Sequence, residues 1–200
     1  MVEEILKKNY VVVDIETTGL NTKKDEILSF ASIPVRGMRL HMDESYVTLI
    51  RPEKFRIDSI KYHGITESDV MNAPTFEEVA DRIEQIVTNS VVVGCAVHID
   101  VEFLKTAFKK KLKRKLKIET YLDVIEIENW LIKRRGSALN FRLDFDSLLK
   151  IYRINGICRH SAMGDAFATA YIFLKQLSHL QEHNVSLTDL MRIGRKVRFF

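Results

Sequence analysis

YVVVDIETTG, residues 10–19, begins with a β-branched run and contains two carboxylates. Residues 10–15 predict a strand that is buried inside the fold. Alternate side chains of a strand point to the same face, so Asp14 and Glu16 are expected side by side. Such a pair persists when a cation neutralises it or when both groups reach solvent, and oxygen ligands of this kind suit hard divalent ions. The pair therefore indicates either a metal site or a polar strand end that runs into a turn.

Strands and helices follow this segment in a definite order. Further strands are predicted at residues 26–35, 39–50, 90–94 and 119–122, with Gly37 as a hairpin turn. Helices are predicted after Thr75, whose spacing to Glu78 is that of a capping box, at residues 99–116, after Asp123, and at residues 144–152 and 161–183. Residues 51–72 are expected to be loop-rich with one short helix. An antiparallel meander followed by alternating helices and strands predicts an α/β domain with a mixed sheet.

Length and composition indicate one domain with a short appendage. The chain has 200 residues, 46% of them apolar, and we expect a domain over residues 1–183 and a basic tail over residues 184–200. No apolar run approaches the roughly 18 residues of a membrane span, and the acidic start without a small-residue cleavage site argues against a signal peptide. Cys95 and Cys158 form neither a metal-type pair nor a disulfide framework, which fits a reducing, cytoplasmic location.

Positive charge is concentrated in two segments. The net charge of +4 and the pI of about 9.0 permit a polyanionic partner without requiring one. Lys109–Lys117 holds seven cations in nine positions at the end of a predicted helix. That run is either a solvated helix end or a surface that follows phosphates. The last nine residues, RIGRKVRFF, hold four more cations and end in Phe199 and Phe200, which form either a frayed end or an anchor for a partner.

Two later segments carry further candidate ligands. Asp100, in the segment GCAVHIDVEFL of residues 94–104, follows a buried strand and begins a helix, where it either stabilises the helix dipole or binds a metal. In HSAMGD, residues 160–165, a spacing of five places the first and last residues roughly 140° apart on a helix. His160 is therefore expected in the loop before the helix, with Asp165 one turn inside it.

Taken in order, these segments resemble the motifs of the DEDD superfamily of 3′–5′ exonucleases, in the branch with histidine in the third motif. DIETTGL (residues 14–20) is similar to the first motif of the proofreading epsilon subunits of bacterial DNA polymerase III, and HSAMGD fits the pattern H-x-A-x-x-D. Asp100 with Phe103 and Leu104 matches the second motif. Further matches are HGIT at residues 63–66, PTF at 74–76, Asp123, and LDFDSL at 143–148.

The resemblance implies both a fold and a site. The fold is a ribonuclease H-like three-layer α/β fold with a mixed five-stranded sheet flanked by helices, and residues 1–183 form the exonuclease domain. Two Mg²⁺ or Mn²⁺ ions are implied, with Asp14 bridging both, Glu16 and Asp165 completing the first, and Asp100 holding the second. His160 would take the proton of the attacking water. Residues implied near the substrate are Thr17, Thr18, Gly19, Leu20, His63 and Phe103, although His63 equally suits a structural loop hydrogen bond.

Substrate and partner follow from the resemblance in the same way. It favours the 3′ ends of single-stranded DNA over RNA, with 5′ mononucleotides as products and a DNA polymerase as partner, and no membrane is implied. A 3′–5′ exoribonuclease of the same branch is the alternative, and a catalytically silent nucleic-acid-binding module is an alternative of another class. The second motif departs from the family at Cys95, Ala96 and Ile99, where His, Asn and Phe are usual. That departure concerns the substrate pocket and leaves the aspartate in place.

Overall fold

The computed structural model of the chain describes residues 2–136 and 142–194. These residues form six strands: β1 (Tyr10–Thr17), β2 (Ile27–Arg36), β3 (Arg39–Leu40), β4 (Tyr46–Leu49), β5 (Val91–Gly94) and β6 (Tyr121–Asp123). They also form nine α-helices: α1 (Val2–Lys7), α2 (Ile60–His63), α3 (Glu67–Val70), α4 (Phe76–Thr88), α5 (His98–Lys111), α6 (Val124–Arg134), α7 (Phe145–Ile151), α8 (Ala162–Glu182) and α9 (Leu187–Ile193). Within these ranges, no helix has the length and apolar character needed to cross a membrane.

The strands form one mixed sheet with the order β3-β2-β1-β5-β6, and β4 also pairs with β2. The first strands pair antiparallel, whereas β1 pairs with β5, and β5 with β6, in parallel. The predicted α/β class and mixed sheet are thus confirmed. The described sheet has six strands and not the expected five, because a 3₁₀-helix at Met42–Glu44 splits the predicted strand 39–50 into β3 and β4. The Ser45 hydroxyl closes that turn by donating to the Met42 carbonyl at 2.6 Å.

Helices cover both faces of the sheet and make three layers. Tyr10 and Val12 of β1 point into a core formed with α1, α6, α7, α8 and α9. Val11 and Val13 point into a second core, formed with α4 and α5. The alternation of β1 side chains therefore feeds both cores, as expected for a strand buried on both faces. Small residues of α8, namely Ala162, Ala166 and Ala170, are buried and allow this helix to lie close to the sheet.

Several predicted boundaries are confirmed and others shift. The capping box at Thr75 and Glu78 is present, and Asp123 and Asp144 cap α6 and α7 with their side chains. Gly37 and Met38, with φ of 53° and 62°, form the β2–β3 turn. The predicted helix 99–116 ends at Lys111, and residues 51–72 hold two short helices, α2 and α3, where one was expected.

The segment assigned to the basic tail contains part of the core. The division at residue 183 stays a prediction, but α9 lies beyond it and Leu190 of that helix is fully buried. The backbone N–H of Asp123 in β6 donates to the Gly194 carbonyl at 2.8 Å, so the end of α9 is tied to the sheet. Phe199 and Phe200 lie outside the described residues.

Candidate active site

Asp14 and Glu16 occupy the end of β1, where this strand runs past its parallel neighbour. β5 pairs with β1 only from Tyr10 to Val12, while β2 continues to pair opposite both carboxylates. Asp14 and Glu16 share the face of Tyr10 and Val12, which is the face covered by α8. The end of β1 therefore has a partner strand on the β2 side only. At this end, both carboxylates point toward the helix layer that contains α8.

Asp100 reaches the same edge through the sharp connection from β5 to α5. A Cβ on Gly94 would lie 2.8 Å from the Val97 side chain and 3.1 Å from the Val13 carbonyl oxygen, so the backbones approach as only glycine allows. Ala96 follows with a left-handed φ of 52°. This turn places Asp100 in the first turn of α5, where it is buried and where the Ile15 backbone favours its charged form.

Asp165 lies in the first turn of α8. The Ser161 hydroxyl caps this helix by accepting from the Gly164 N–H at 3.2 Å, and the Asp165 N–H donates to the Ser161 carbonyl at 2.9 Å. A Cβ on Gly164 would collide with the Cys158 carbonyl oxygen, so the helix entry requires a residue without a side chain. His160 stands in the preceding loop with a left-handed φ of 59° and an exposed side chain, as the spacing of the motif predicts.

These elements bring the carboxylates together. Asp14, Glu16 and Asp165 offer oxygen atoms that all lie within 4.8 Å of one another, a separation that one metal ion spans. Asp100 lies close enough to Asp14 for its charge to raise the pKa of the Asp14 carboxyl. Four carboxylates from β1, α5 and α8 thus share one small region, and the sequence had predicted each of them.

The pKa values of this cluster report how poorly water stabilises its charges. Burial raises the pKa of Asp14 well above its usual range, and the charges of Asp100, Glu16 and Asp165 raise it further. Burial, followed by the Asp165 charge, raises the pKa of Glu16 to about 7, and burial raises that of Asp100 to about 8. Burial also raises the pKa of Asp165. The cluster therefore needs nearby positive charge to be fully ionised at neutral pH.

Arg159 supplies part of that charge, and sequence reasoning did not assign it a role. Its Nε lies 3.0 Å from Asp165 Oδ1, and its Nη1 lies 2.5 Å from Asp146 Oδ1. The guanidinium also stacks over the Phe145 ring, 4.5 Å from the centroid. The Arg159 charge lowers the pKa of Asp14, Glu16 and Asp165. Its place beside His160 in the sequence was the one available signal, and it does not reveal which way the side chain turns.

The remaining first-motif residues, at the end of β1 and in the loop that follows, differ in their contacts and in their exposure to solvent. The Thr17 hydroxyl donates to the Gly19 carbonyl at 2.7 Å, and the buried Thr18 hydroxyl accepts from the Glu26 N–H at 2.9 Å. A Cβ on Gly19 would meet the Asp25 carboxyl at 2.5 Å, so this glycine packs against the loop. Leu20, by contrast, is 87% exposed. Among the first-motif residues 14–20, Leu20 is therefore the one with an exposed side chain.

His63 and Phe103 both have structural contacts. The Nδ1 atom of His63 accepts a hydrogen bond from the Ile65 N–H at 3.0 Å, and burial lowers the pKa of its imidazole. The Thr17 backbone at the end of β1 partly offsets this lowering of the pKa. Phe103 is buried in the core between the sheet and α5. His63 thus lies near the end of β1 that carries the carboxylates, whereas the side chain of Phe103 packs α5 against the core.

A cavity of about 540 Å³ opens beside Asp14 and contains two of the three residues that depart from the family pattern. Cys95 and Ala96 line it on one side, and Leu143 and Phe145 line it on the other. Burial, followed by the charge of Asp123, raises the pKa of the Cys95 thiol, so Cys95 stays neutral at physiological pH. The third departure, Ile99, is 40% exposed. The substitutions therefore change a wall next to the carboxylates and leave the carboxylates themselves in place.

Comparison with known proteins gives one family. The profile of the family described as Exonuclease (RNase_T) matches residues 11–173. The chain is 34% identical over 183 residues to the PolC-type DNA polymerase III of Caldanaerobacter subterraneus subsp. tengcongensis, which covers 90% of this chain and 12% of that protein. A DNA polymerase III subunit epsilon-like protein of Rhodobacter capsulatus is 32% identical over 199 residues, covering 96% of this chain and 28% of that protein. The DNA polymerase III epsilon subunit of Aquifex aeolicus is 29% identical over 183 residues, covering 90% of this chain and 86% of that protein.

Solved structures show the same fold at lower identity. Exonuclease X in complex with 5′ overhanging duplex DNA superposes with a TM-score of 0.69 and 18% identity, covering 93% of this chain and 99% of that one. Exonuclease I of E. coli in complex with a dT13 oligonucleotide gives a TM-score of 0.71 and 18% identity, covering 89% of this chain and 43% of that one. These likenesses confirm the expected ribonuclease H-like fold.

Proposed function

The chain belongs to the exonuclease family (RNase_T), as the resemblance of its motifs implied, and we propose that it is a metal-dependent 3′–5′ exonuclease. Its substrate in this proposal is the 3′ end of single-stranded DNA, and each cycle releases a 5′ mononucleotide. The chain spans 12% and 28% of the lengths of the PolC-type and epsilon-like relatives named above. The proposal therefore concerns the nuclease unit.

The carboxylate cluster at the end of β1 carries this proposal. Asp14, Glu16 and Asp165 present oxygen atoms within 4.8 Å of one another, and Asp100 raises the pKa of Asp14 through its charge. A fold that holds four carboxylates in one partly buried region meets a large electrostatic cost unless cations bind there. Arg159 offsets part of this cost, because it pairs with Asp165 and its charge lowers the pKa of Asp14, Glu16 and Asp165. The remaining negative charge fits divalent cations.

The donor set fits Mg²⁺ or Mn²⁺, because every candidate ligand is a carboxylate oxygen. In our proposal Asp14, Glu16 and Asp165 hold one ion, and Asp14 and Asp100 hold a second. Bound there, such ions would lower the pKa of an attacking water and neutralise charge on the phosphodiester. The three carboxylates that surround the first position come from rigid elements, β1 and α8, so their geometry is largely preformed.

We propose that His160, in the loop before α8, accepts a proton next to this cluster. Its backbone N–H donates to Asp165 Oδ2 at 3.3 Å, which fixes the loop, while its side chain is exposed. A neutral imidazole nitrogen can accept a proton from an attacking water. We assign His160 this role, and a general base of this kind contributes roughly 10²–10⁴-fold to the rate.

The preference for DNA and for a polymerase partner is supported by the relatives. Those named above are DNA polymerase III subunits or PolC-type polymerases, and Exonuclease I and Exonuclease X are described in complex with DNA. We extend these properties to this chain as part of the proposal. Cys95 and Ala96 line the cavity beside Asp14, so we propose that substrate choice differs from that of the relatives through these two residues.

Matched oligonucleotides test this function. We would digest DNA and RNA strands of one sequence, each labelled at the 5′ end in one set and at the 3′ end in another, with Mg²⁺, Mn²⁺ or a chelator. The proposal predicts stepwise shortening of the 5′-labelled DNA, immediate release of the 3′ label as a mononucleotide, and no reaction with chelator. Faster digestion of RNA would replace DNA by RNA as the substrate, and hydrolysis in the presence of chelator would contradict the metal requirement.

A further inference from the structure

Five lysines surround a second, larger cavity at the far end of α5. The cavity has a volume of about 900 Å³ and lies between the last turns of α5 and the segment that follows this helix. The charged residues that line it include one acid, Glu119, and Arg114. We call its five lysines the lysine surface: Lys105, Lys109, Lys113, Lys115 and Lys117. Leu116 and Ile118 also line the cavity, and both belong to the buried core.

The local sequence explains why the lysines gather on one side. Lys105 and Lys109 lie four residues apart on α5 and therefore share a helix face. The helix ends at Lys111, after which Leu116 and Ile118 are buried while Lys115 and Lys117 are exposed. Lys105 Nζ donates to the Ile118 carbonyl at 3.3 Å and ties the segment to the helix. Helix geometry and the packing of Leu116 and Ile118 therefore determine where these lysines lie.

Its charge is poorly neutralised within the molecule. Residues 105–117 contain eight of the 31 cationic residues and no acid, although the whole chain has a net charge of only +4. Arg114 pairs with Asp81 and Glu84, and Lys111 pairs with Glu26 and Glu53. The lysine surface differs from these two residues, since none of its members is paired with a carboxylate of residues 2–136 or 142–194. Because residues 105–117 contribute eight positive charges to a chain whose net charge is +4, the remainder of the chain carries net negative charge.

We infer that the lysine surface binds the phosphate backbone of a nucleic acid whose end is held at the carboxylate cluster. This inference rests on the proposed function for the location of that end. Asp100 lies in the first turn of α5 and Lys109 in its last turn, so the rise along the helix separates them by about 14 Å. Nucleotides at about 3.4 Å per step cover that span with roughly four residues. A strand longer than this can reach both places.

Nucleic acid fits the lysine surface better than an acidic protein does. Protein interfaces are depleted in lysine and enriched in aromatic residues and arginine. Among the described residues that line this cavity, none is aromatic, and Arg114 is already paired. Lysine ammonium groups on flexible stems act as point charges that suit phosphates without sequence preference.

Charge-neutralised variants test this surface separately from catalysis. The test variant is Lys109→Gln/Lys113→Gln/Lys117→Gln. The matched control is Lys133→Gln/Lys150→Gln/Lys175→Gln, which removes the same charge from exposed lysines of α6, α7 and α8 on the other side of the sheet. Binding of a labelled 20-residue DNA strand is measured with chelator at several salt concentrations. Hydrolysis of that strand is compared with hydrolysis of a dinucleotide, which is too short to reach the lysine surface.

The test variant should bind the 20-residue strand more weakly, with a salt dependence that is less steep by about 2 in log–log slope, because each contact with a single strand contributes about 0.7. Relative to wild type, the loss of DNA affinity in the test variant should therefore be roughly twentyfold larger at 50 mM than at 200 mM salt. KM for the long strand should rise, while kcat and dinucleotide hydrolysis stay at the wild-type level. A wild-type slope in the test variant, or an equal loss in the control, overturns the inference. Wild-type protein that hydrolyses neither substrate contradicts the proposed function, while the binding slopes still decide about the lysine surface.

Discussion

Replacing Glu16 by glutamine should stabilise the protein when no divalent ion is present. The Glu16 carboxyl is partly buried beside Asp165, and these surroundings raise its pKa from 4.5 to about 7. Holding it ionised at pH 8 therefore costs free energy that glutamine, which has a similar shape and no charge, does not incur. The carboxylate is retained, on our account, because cation binding recovers this cost.

The pKa difference sets the size of the effect. One pKa unit corresponds to about 1.36 kcal/mol, so ionised Glu16 costs at most about 3 kcal/mol at pH 8 and below about 1 kcal/mol at pH 5. Solvent screening of a partly exposed side chain reduces the value at pH 8 to the order of 1–3 kcal/mol. In a chain of this length, each kcal/mol moves the melting temperature by roughly 2–4 °C.

The sign follows from proton binding. A carboxyl with a raised pKa binds its proton more tightly in the folded state, so its contribution to stability is complete below about pH 4.5 and is lost as pH rises through about 7. Wild-type protein in chelator should therefore lose stability between pH 5 and pH 8, and Glu16→Gln should lose less. Adding Mg²⁺ at pH 8 should stabilise the wild type more than the variant.

Urea unfolding in chelator at pH 5 and pH 8 measures these differences. Glu102→Gln is the matched control, since Glu102 is an exposed glutamate on α5. A Glu16→Gln protein that is no more stable than wild type at pH 8, or whose gain is the same at both pH values, would refute the reasoning about the cluster.

Three further substitutions probe the rest of the site. His160→Ala should lower kcat by 10²-fold or more and leave the Mg²⁺ dependence of thermal stability unchanged; a collapse of metal binding would make His160 a ligand. Arg159→Met should destabilise the protein in chelator at pH 8 by about 1 kcal/mol, because the carboxylates lose their counter-charge, and an increase in stability would contradict this. Gly164→Ala should cost about 1–3 kcal/mol of unfolding free energy, because its Cβ meets the Cys158 carbonyl oxygen; unchanged stability would show that the start of α8 adapts.

The sequence was sufficient wherever a short-range pattern determines the structure. The alternation along β1 placed Asp14 and Glu16 on one face, and the spacing of the third motif placed Asp165 in the first turn of a helix with His160 before it. Capping residues located the starts of α4 and α7. These features depend on backbone geometry over a few residues, so they can be derived without knowledge of the tertiary fold.

Features that depend on distant contacts or on left-handed backbone were missed. The side chain of Arg159 turns toward Asp165 and Asp146 because both happen to lie beside it in the folded chain. Helix α5 ends at Lys111, before a left-handed Lys113, whereas the sequence predicted a helix that extends to residue 116. The segment expected as a tail contributes Leu190 to the core, because α6, β6 and α1 cover it. Tertiary packing decides each of these outcomes.

Hydrolysis of a 5′-labelled single-stranded DNA by wild type and Asp14→Asn, with Mg²⁺ and with chelator, tests the central claim most directly. Asp43→Asn, which changes an exposed aspartate outside the cluster, is the control. We predict stepwise shortening from the 3′ end by wild type and Asp43→Asn in Mg²⁺, and no product from Asp14→Asn although it remains folded. Wild-type activity in purified Asp14→Asn would contradict the assignment of the carboxylate cluster as the active site.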